Sequence, residues 1–519
     1  MSEENIFQED LKDALLDLLI EKKTVKSPKI LTKSKFINGI QCPKLLWTRC
    51  NAPQEIPEVS EQLQAIFDTG YRVGELAISR FPGGTLVQED DFVKNLEETQ
   101  NLLASKTPAP IYEAGIQSGR LYARADILRP SNKHGMWDVI EVKCSTSSKE
   151  TYLQDIAFQR YCYEQAGVLI DRCYLMHVNN QYIRNGEIDV EEFFTLLDVT
   201  EAIKDFYNKI PVLVEGFLKI IDLPSQPQIS IGSHCGKPYE CQMIPSCWAF
   251  LPENNVLQLY RGKSKGFDLL DQGITLIKDI PANLKLTDNQ LIQRSCAISG
   301  HEHIDKLEIE AFIKGLRYPL YFLDFETIWE VIPRFNGIRP YQQVPFQFSL
   351  HIQKSPGANL EHVSFLHKSS DDPRGYFICS LIECMGNEGD IIAYNKSFEE
   401  GRLKEIAEAF PEFESSCQNM ALRMVDLLVP FRKFQYYNPI QKGSASLKKV
   451  LPALVGSGYE GLTIAEGGAA SAEYARVTYS KNVTDADRNQ VYGDLVKYCT
   501  LDTKAMVDVL GKLKELIDL

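Results

Sequence analysis

No stretch of this 519-residue sequence approaches the roughly 18 consecutive apolar residues that a membrane-spanning helix requires. The first thirty residues lack both the apolar core of a signal peptide and the Arg-rich pattern of a transit peptide. They read instead as a charged amphipathic helix from Ile6 to Lys23. These absences give a cytoplasmic expectation with no membrane partner. An excess of basic residues is also missing: 56 Lys and Arg stand against 70 Asp and Glu, a net charge of −14 with a pI near 5.2. Wholesale coating of duplex nucleic acid is therefore disfavoured, because non-specific affinity comes from neutralising phosphates. A nuclease stays open, since acids clustered at metal sites carry formal charge that bound cations cancel. Internal repeats, low-complexity tracts and a His-Glu-x-x-His zinc motif are all absent.

What is present is the composition of an ordinary globular protein, 44% hydrophobic and 24% charged. The length exceeds what one core supports and predicts two to four domains of α/β class. The expected division is an N-terminal helix in residues 1–30, a mixed α/β domain over 31–252, a helical connector over 253–316 and a second α/β domain over 317–519. In the first α/β domain the pattern predicts a helix over 60–80, strands over 119–128 and 137–144, a helix over 149–166 and a strand over 172–178. In the second it predicts a short buried strand over 318–327, alternating strands over 346–353 and 362–367, a helix over 373–385, a strand over 390–394 and a helix over 398–410. A last helix runs from about 485, with Thr484 as N-cap and Asp487 three residues on. The thirteen cysteines of a cytoplasmic chain read as reduced thiols or metal ligands rather than disulfides.

Three short patterns in the last domain carry chemistry. Asp324 and Glu326 stand two apart in the strand YFLDFET and so share one face. Two acids on one face of an apolar strand repel each other and cost desolvation, which bound cations remove; a strand end with two solvated acids is the plain alternative. Asn395, Phe398 and Glu399 fall at a strand-to-helix junction, where side chains reach the carboxyl end of a sheet. A helix start favouring acids by its dipole explains the same residues. Tyr498 and Asp502 in YCTLD are four apart and share a helix face, as they also would on an ordinary amphipathic helix. The aromatic pair in Gln435–Tyr437 suits stacking of single-stranded bases, although such pairs are more often packing.

Together, Asp-x-Glu, Asn-x-x-Phe-Glu and Tyr-x-x-x-Asp in this order resemble the tyrosine branch of the DEDD superfamily of 3′–5′ exonucleases, over about residues 318–519. The resemblance implies an RNase H-like fold. It implies that Asp324, Glu326, Glu399 and Asp502 hold two Mg²⁺ or Mn²⁺ ions, hard cations that prefer oxygen, about 4 Å apart, and that Tyr498 orients the attacking water. Glu399 stands where the family usually has aspartate, with Glu400 as the fallback for that role.

A second set lies in the first α/β domain. Asp126 sits in LYARADIL, Glu141 and Lys143 share a face of WDVIEVK, and Gln159 and Tyr163 share a face of the next helix. Acids with a nearby lysine suit metal-dependent phosphodiester hydrolysis; a helix over a half-buried sheet is the plain alternative. This set resembles the RecB-type PD-(D/E)XK nucleases over about residues 31–252, which implies catalytic roles for these five residues and a metal held by Asp126 and Glu141. Where that family often carries histidine on the first helix, GYRVGEL has Gly74, leaving Glu75 as the substitute ligand. One distant cysteine, Cys42, and the late group Cys235, Cys241 and Cys247 resemble the iron–sulfur staple of that family, implying a 4Fe-4S cluster. Zinc and buried structural thiols are the alternatives. Cys144, Cys162 and Cys173 read as core.

The whole arrangement resembles bacterial proteins in which a RecB-like domain precedes a DEDD-type domain. It implies a metal-dependent nuclease acting on nucleic acid, DNA in preference to RNA, that trims 3′ ends while the RecB-like domain binds or nicks. DNA repair or defence suits such an enzyme by analogy. Two rivals stand beside it: an RNA 3′-trimming exonuclease, and a non-catalytic nucleic-acid-binding protein built on two decayed nuclease folds.

Overall fold

The structure, a computed structural model, describes residues 29–57, 61–87, 91–464 and 466–517, without the side chains of 61–68. The helix expected over Ile6–Lys23 lies outside the described residues. The chain adopts the mixed α/β class and divides into two compact units. One extends to Ala249 and takes in Val331–Tyr341; the other comprises Phe250–Glu330 and Gln342–Leu519. Among the described residues, no helix is long and apolar enough to cross a membrane.

The first unit is built on six strands: β1 (Thr85–Leu86), β2 (Ile111–Ser118), β3 (Leu121–Pro130), β4 (Trp137–Lys143), β5 (Ile170–Val178) and β6 (Phe194–Asp198), in that spatial order. β2, β3 and β4 form an antiparallel meander. β4 and β5 are parallel, joined through the helix Glu150–Gln165, because parallel neighbours require a crossover. Every residue of β4 is buried, so its two acids and its lysine are enclosed along with its apolar side chains. Ahead of the sheet, Leu31 bridges to Leu121 and leads into the helix Lys33–Gln41, capped by the Thr32 hydroxyl. Phe36 of that helix stacks on Phe158 with ring centroids 4.4 Å apart, fastening it over the crossover helix. Cys42 ends this helix and opens the next, Pro43–Asn51. The segment Val331–Tyr341 is held within this unit by the Tyr341 hydroxyl, which donates to Cys144 O at 2.5 Å, and by Arg184 Nη1, which donates to Pro333 O at 2.7 Å.

The second unit opens with the short helices of its N-terminal part and the strand β7 (His303–Ile304). Its main sheet comprises β8 (Leu320–Ile328), β9 (Val344–Gln353), β10 (Leu360–Leu366), β11 (Asp390–Ala393) and β12 (Met424–Asp426), in the order β10-β9-β8-β11-β12. β9 runs antiparallel to β8 and β10, while β8, β11 and β12 are mutually parallel. β13 (Tyr436–Tyr437) pairs with β7, and both its tyrosines are buried. Burial removes them from base stacking and leaves packing, the commoner of the two roles weighed for Gln435–Tyr437.

Helices Arg374–Cys384 and Ser397–Ala409 pack with one face of this sheet around Leu323, Phe325 and Phe348. The 32-residue helix Asp485–Leu516 packs on the other around Leu320, Phe322 and Ile392. The expected cap forms, with Asp487 N donating to the Thr484 hydroxyl at 3.2 Å. Polar fastenings add register: Gln347 Nε2 donates to Leu495 O at 3.0 Å, and the Thr503 hydroxyl lies 2.7 Å from Ser349 Oγ and 2.8 Å from His351 Nδ1. Each fully buried leucine or phenylalanine of this layering contributes about 1.5–3 kcal/mol. That burial offsets the cost of enclosing the acids described next.

Candidate functional site

β8 is the central strand of its sheet, and its apolar run is broken only by Asp324 and Glu326. In register they lie opposite Ser349 and Gln347 of β9. Asp324 is half-buried and Glu326 is 6% exposed. At the end of β11 the chain turns through Asn395, whose φ of 74° is left-handed, a conformation asparagine tolerates better than most residues. Asn395 N donates to Asp426 Oδ1 at 2.9 Å, and the turn launches the helix that buries Glu399. Glu400 instead reaches Lys396 at 2.8 Å in a half-exposed ion pair, so Glu399 rather than Glu400 belongs to the acid group. From the long C-terminal helix, Tyr498 and Asp502 project from one face, both buried.

The structure thus brings Asp324, Glu326, Glu399, Tyr498 and Asp502 together, and none of the four acids has an ion-pair partner among the described residues. Burial and mutual repulsion set their proton affinities. Asp324 is driven well above the usual carboxylate range by desolvation and by Asp502, Glu326 and Glu399. Glu326 is driven up by desolvation and Asp502, with Lys448 acting against the rise. Glu399 is raised to about 8, chiefly by burial. Asp502 is raised to about 6 by burial, against hydrogen bonds from Tyr459 and Tyr498. Glu399 Oε2 is buried without any hydrogen-bond partner, a costly state for a carboxylate oxygen.

Several contributors have no signal in the three sequence patterns. Cys499 Sγ lies 3.6 Å from Asp324 Oδ2. One ligand atom each from Asp324, Glu326 and Cys499 falls within 4.8 Å of the others, a metal-sized group. The Tyr459 hydroxyl donates to Asp502 Oδ1. Lys448, exposed at the rim, holds its ammonium 5.8 Å from the Tyr459 ring centroid and 5.7 Å from that of Tyr498. Gly467 opens a helix beside Glu326, and a Cβ there would stand 3.9 Å from Glu326 Oε2.

In the first unit, Glu141, Lys143 and Gln159 do meet, and all three are buried. Gln159 Nε2 donates to Glu141 Oε2 at 2.6 Å, and Lys143 Nζ lies 2.8 Å from Glu141 Oε1. Two residues outside the expected set join them, Lys33 and Asp155. Despite its burial, Glu141 is held well below the usual range by the two ammonium groups. Asp126 lies on the neighbouring strand, where its Oδ2 accepts from Val142 N at 2.7 Å. Tyr163 is spent on structure: its hydroxyl donates to Ala114 O at 2.5 Å and accepts from Ala125 N at 3.3 Å, tying β2 to β3. Glu75 is exposed on the helix Glu61–Ile78 and lines a surface cleft with Arg72, Leu76, Ser79 and Ile332.

The four predicted cysteine ligands also converge. Cys42 and Cys235 are buried, and Cys241 and Cys247 pack with Cys42, Leu45 and Met243. Cys42 is raised by burial and by the nearby Cys235 and Cys247; Cys241 is raised to about 11 by burial and by the other three thiols. Gln41 Nε2 donates to His234 O at 3.0 Å and to Tyr239 O at 2.8 Å, and Arg49 Nη2 to Gln242 Oε1 at 2.6 Å, so the segments carrying the thiols are stitched together. No three of these sulfurs lie within 4.8 Å of one another. No disulfide joins any of the cysteines among the described residues, and Cys144, Cys162 and Cys173 are core.

Residues 321–446 match the family described as "Domain of unknown function (DUF2779)", a span that contains Asp324, Glu326 and Glu399 but stops short of Tyr498 and Asp502. The uncharacterized protein UU173 of Ureaplasma parvum is 28% identical over 230 residues, 40% of this chain and 33% of its own length. The uncharacterized protein MG366 of Mycoplasma genitalium is 29% identical over 219 residues, 38% of this chain and 32% of its own. The chain therefore spans about a third of the length of the curated relatives it matches.

Proposed function

We propose that the second unit is an RNase H-like exonuclease domain of the DEDD tyrosine branch, hydrolysing phosphodiester bonds from a 3′ end, with DNA favoured over RNA. The observation that carries this reading is the convergence of four acids, none with an ion-pair partner, at one edge of the parallel half of a sheet. Enclosed together without a cation, such a group is strongly unfavourable. A bound metal pair reverses the sign of that energy. Asp324, Glu326, Glu399 and Asp502 are the residues to hold Mg²⁺ or Mn²⁺, being oxygen donors of the kind hard cations select. The orphaned Glu399 Oε2 is a ligand atom in need of a partner. The strand order β10-β9-β8-β11-β12, with β9 alone reversed within its core and the first acid pair on the central strand, supports the RNase H-like assignment.

When bound, the metals supply a hydroxide nucleophile at neutral pH and a Lewis acid for the departing oxygen. The protein's own groups do the rest. Burial holds the Tyr498 phenol above its ordinary range, which favours the protonated hydroxyl. It therefore orients a water by hydrogen bonding and does not act as a base. Lys448 sets a positive charge at the mouth of an otherwise acidic site, where it favours the approach of a phosphate.

The first unit fits a RecB-like PD-(D/E)XK fold in its meander, crossover helix and Glu-x-Lys strand, and we assign it to nucleic-acid binding. Its four thiols, one from the segment before the sheet and three from the segment after it, suit an iron–sulfur cluster. Matched DNA and RNA oligonucleotides, incubated with Mn²⁺ beside an Asp324→Asn variant, test the reading. Metal-dependent shortening of DNA that the variant lacks is expected. Equal or faster loss of RNA would reassign the substrate, and cleavage unchanged in the variant would remove the site from the chemistry.

A further inference from the structure

The acids of the first unit are surrounded differently from those of the second. Glu141 and Asp155 are each 1% exposed, and two ammonium groups are enclosed with them. Lys33 Nζ and Lys143 Nζ both lie 2.8 Å from the same oxygen, Glu141 Oε1, and they approach Asp155 Oδ2 at 3.8 and 3.3 Å. The other Glu141 oxygen takes Gln159 Nε2 at 2.6 Å, and the same amide reaches Asp155 Oδ1 at 3.4 Å. Two carboxylates and two ammoniums cancel, and both oxygens of Glu141 already accept from nitrogen donors.

A divalent cation brought to Glu141 would stand beside two ammonium groups bound to one oxygen, and would have to expel at least one of them. Lys143 belongs to the Glu-x-Lys pattern. Lys33 belongs to no pattern of the metal-dependent fold and arrives from a separate segment, before the sheet begins. Its side chain is enclosed, at 6% exposure, and its backbone is anchored on both sides. Two residues upstream, Leu31 N donates to Arg120 O at 2.8 Å and Leu31 O accepts from Tyr122 N at 3.1 Å, locking the backbone to the start of β3. Downstream, the helix Lys33–Gln41 is held by the Thr32 cap and by Phe36 stacked on Phe158. Withdrawing the ammonium therefore means re-packing an enclosed side chain whose backbone is fixed on both sides.

We propose that Lys33 is the resident cation of this site: its ammonium takes the place beside Glu141 that a divalent metal would need, so the first unit binds no catalytic metal and does not cleave by metal-dependent hydrolysis. The acid group of the second unit, enclosed without an ion pair, is then the chain's metal centre. The two inferences are separable, since the Lys33 lock stands on contacts within the first unit alone.

The test is Mn²⁺ binding followed by the loss of the free-ion electron paramagnetic resonance signal, on the full chain. In a variant carrying Asp324→Asn and Asp502→Asn, with the first unit unaltered, no submillimolar Mn²⁺ site that depends on Glu141 is expected. Adding Lys33→Met to that background is expected to create one, abolished in turn by Glu141→Gln, with melting curves confirming that each variant folds. Ions that Glu141→Gln leaves in place belong elsewhere and stand with the proposal. A site in the unaltered first unit that Glu141→Gln removes would overturn it. So would a folded Lys33→Met variant that gains no Mn²⁺. Failure of the two asparagine substitutions to reduce Mn²⁺ binding would count against the second-unit assignment alone.

Discussion

Replacing Glu399 by glutamine isolates the cost of charging the acid group from everything else that titrates in the chain. The carboxyl of Glu399 sits at about 8 in the folded protein, against an ordinary 4.5. A folded value raised above the unfolded one means that the folded state holds its proton more tightly. Between these two values the unfolded chain has lost a proton that the folded chain keeps, so stability falls as pH rises. The slope is about 1.4 kcal/mol per pH unit, and the full window amounts to roughly 5 kcal/mol. Asp324, Glu326 and Asp502 titrate in the same group and share protons with it, so the net gain expected for Glu399→Gln near pH 8.5 is about 2–5 kcal/mol. Near pH 4.5 wild type and variant should differ little. For a domain of this size each kcal/mol moves Tm by about 2–4 °C. Scanning calorimetry in EDTA should therefore show the variant melting about 5–15 °C above wild type at the alkaline end, with the gap closing on acidification. Saturating Mn²⁺ should narrow this alkaline gap, because an ion at a hundred times its Kd stabilises wild type by about 2.7 kcal/mol and the variant has lost a ligand. A gap independent of pH, or a variant less stable than wild type in alkaline EDTA, would refute the reasoning.

Three further outcomes follow from the same geometry. Tyr498→Phe should leave Mn²⁺ binding intact and lower the single-turnover rate by about a hundredfold; an unchanged rate would remove Tyr498 from water positioning. Glu141→Ala leaves Lys33 and Lys143 enclosed without their main partner, and should cost about 3–5 kcal/mol in guanidinium unfolding while exonuclease turnover at a permissive temperature is retained. Anaerobically purified chain should carry iron and acid-labile sulfide in equal amounts, with both lost in Cys247→Ser; zinc in place of iron would refute the cluster assignment.

Much of this arrangement was legible in the sequence, and the reasons differ by element. β8 and β4 announced themselves as short apolar runs broken by charged residues two apart, Asp324 and Glu326 in one and Glu141 and Lys143 in the other, because strand geometry turns that spacing into a shared face. Tyr498 and Asp502 were legible for the same reason on a helix. β2 was not: IYEAGIQS carries a left-handed Glu113 and a glycine, and its pattern neither alternates nor runs apolar. β12, three residues long, is too short to leave a period. Lys33 and Asp155 were illegible because no local rule ties a lysine before the sheet to an acid in a crossover helix more than a hundred residues later; only the tertiary fold joins them. Tyr459 and Lys448 enter the acid site from irregular chain and a short helix, where side-chain direction cannot be read from spacing. Gln159 and Tyr163, four apart on one helix, illustrate the limit of periodicity: the first reaches Glu141, while the second is consumed by backbone groups of β2 and β3.

Asp324 is the residue on which the proposed metal-dependent 3′ exonuclease centre depends most. The most direct measurement is a time course of a 5′-labelled single-stranded DNA with anaerobically purified chain in Mn²⁺, in EDTA, and with Asp324→Asn in Mn²⁺. A descending ladder of products is expected in the first reaction and intact DNA in the other two. A ladder that survives in Asp324→Asn, or none with wild-type protein whose Mn²⁺ sites are filled, would contradict it.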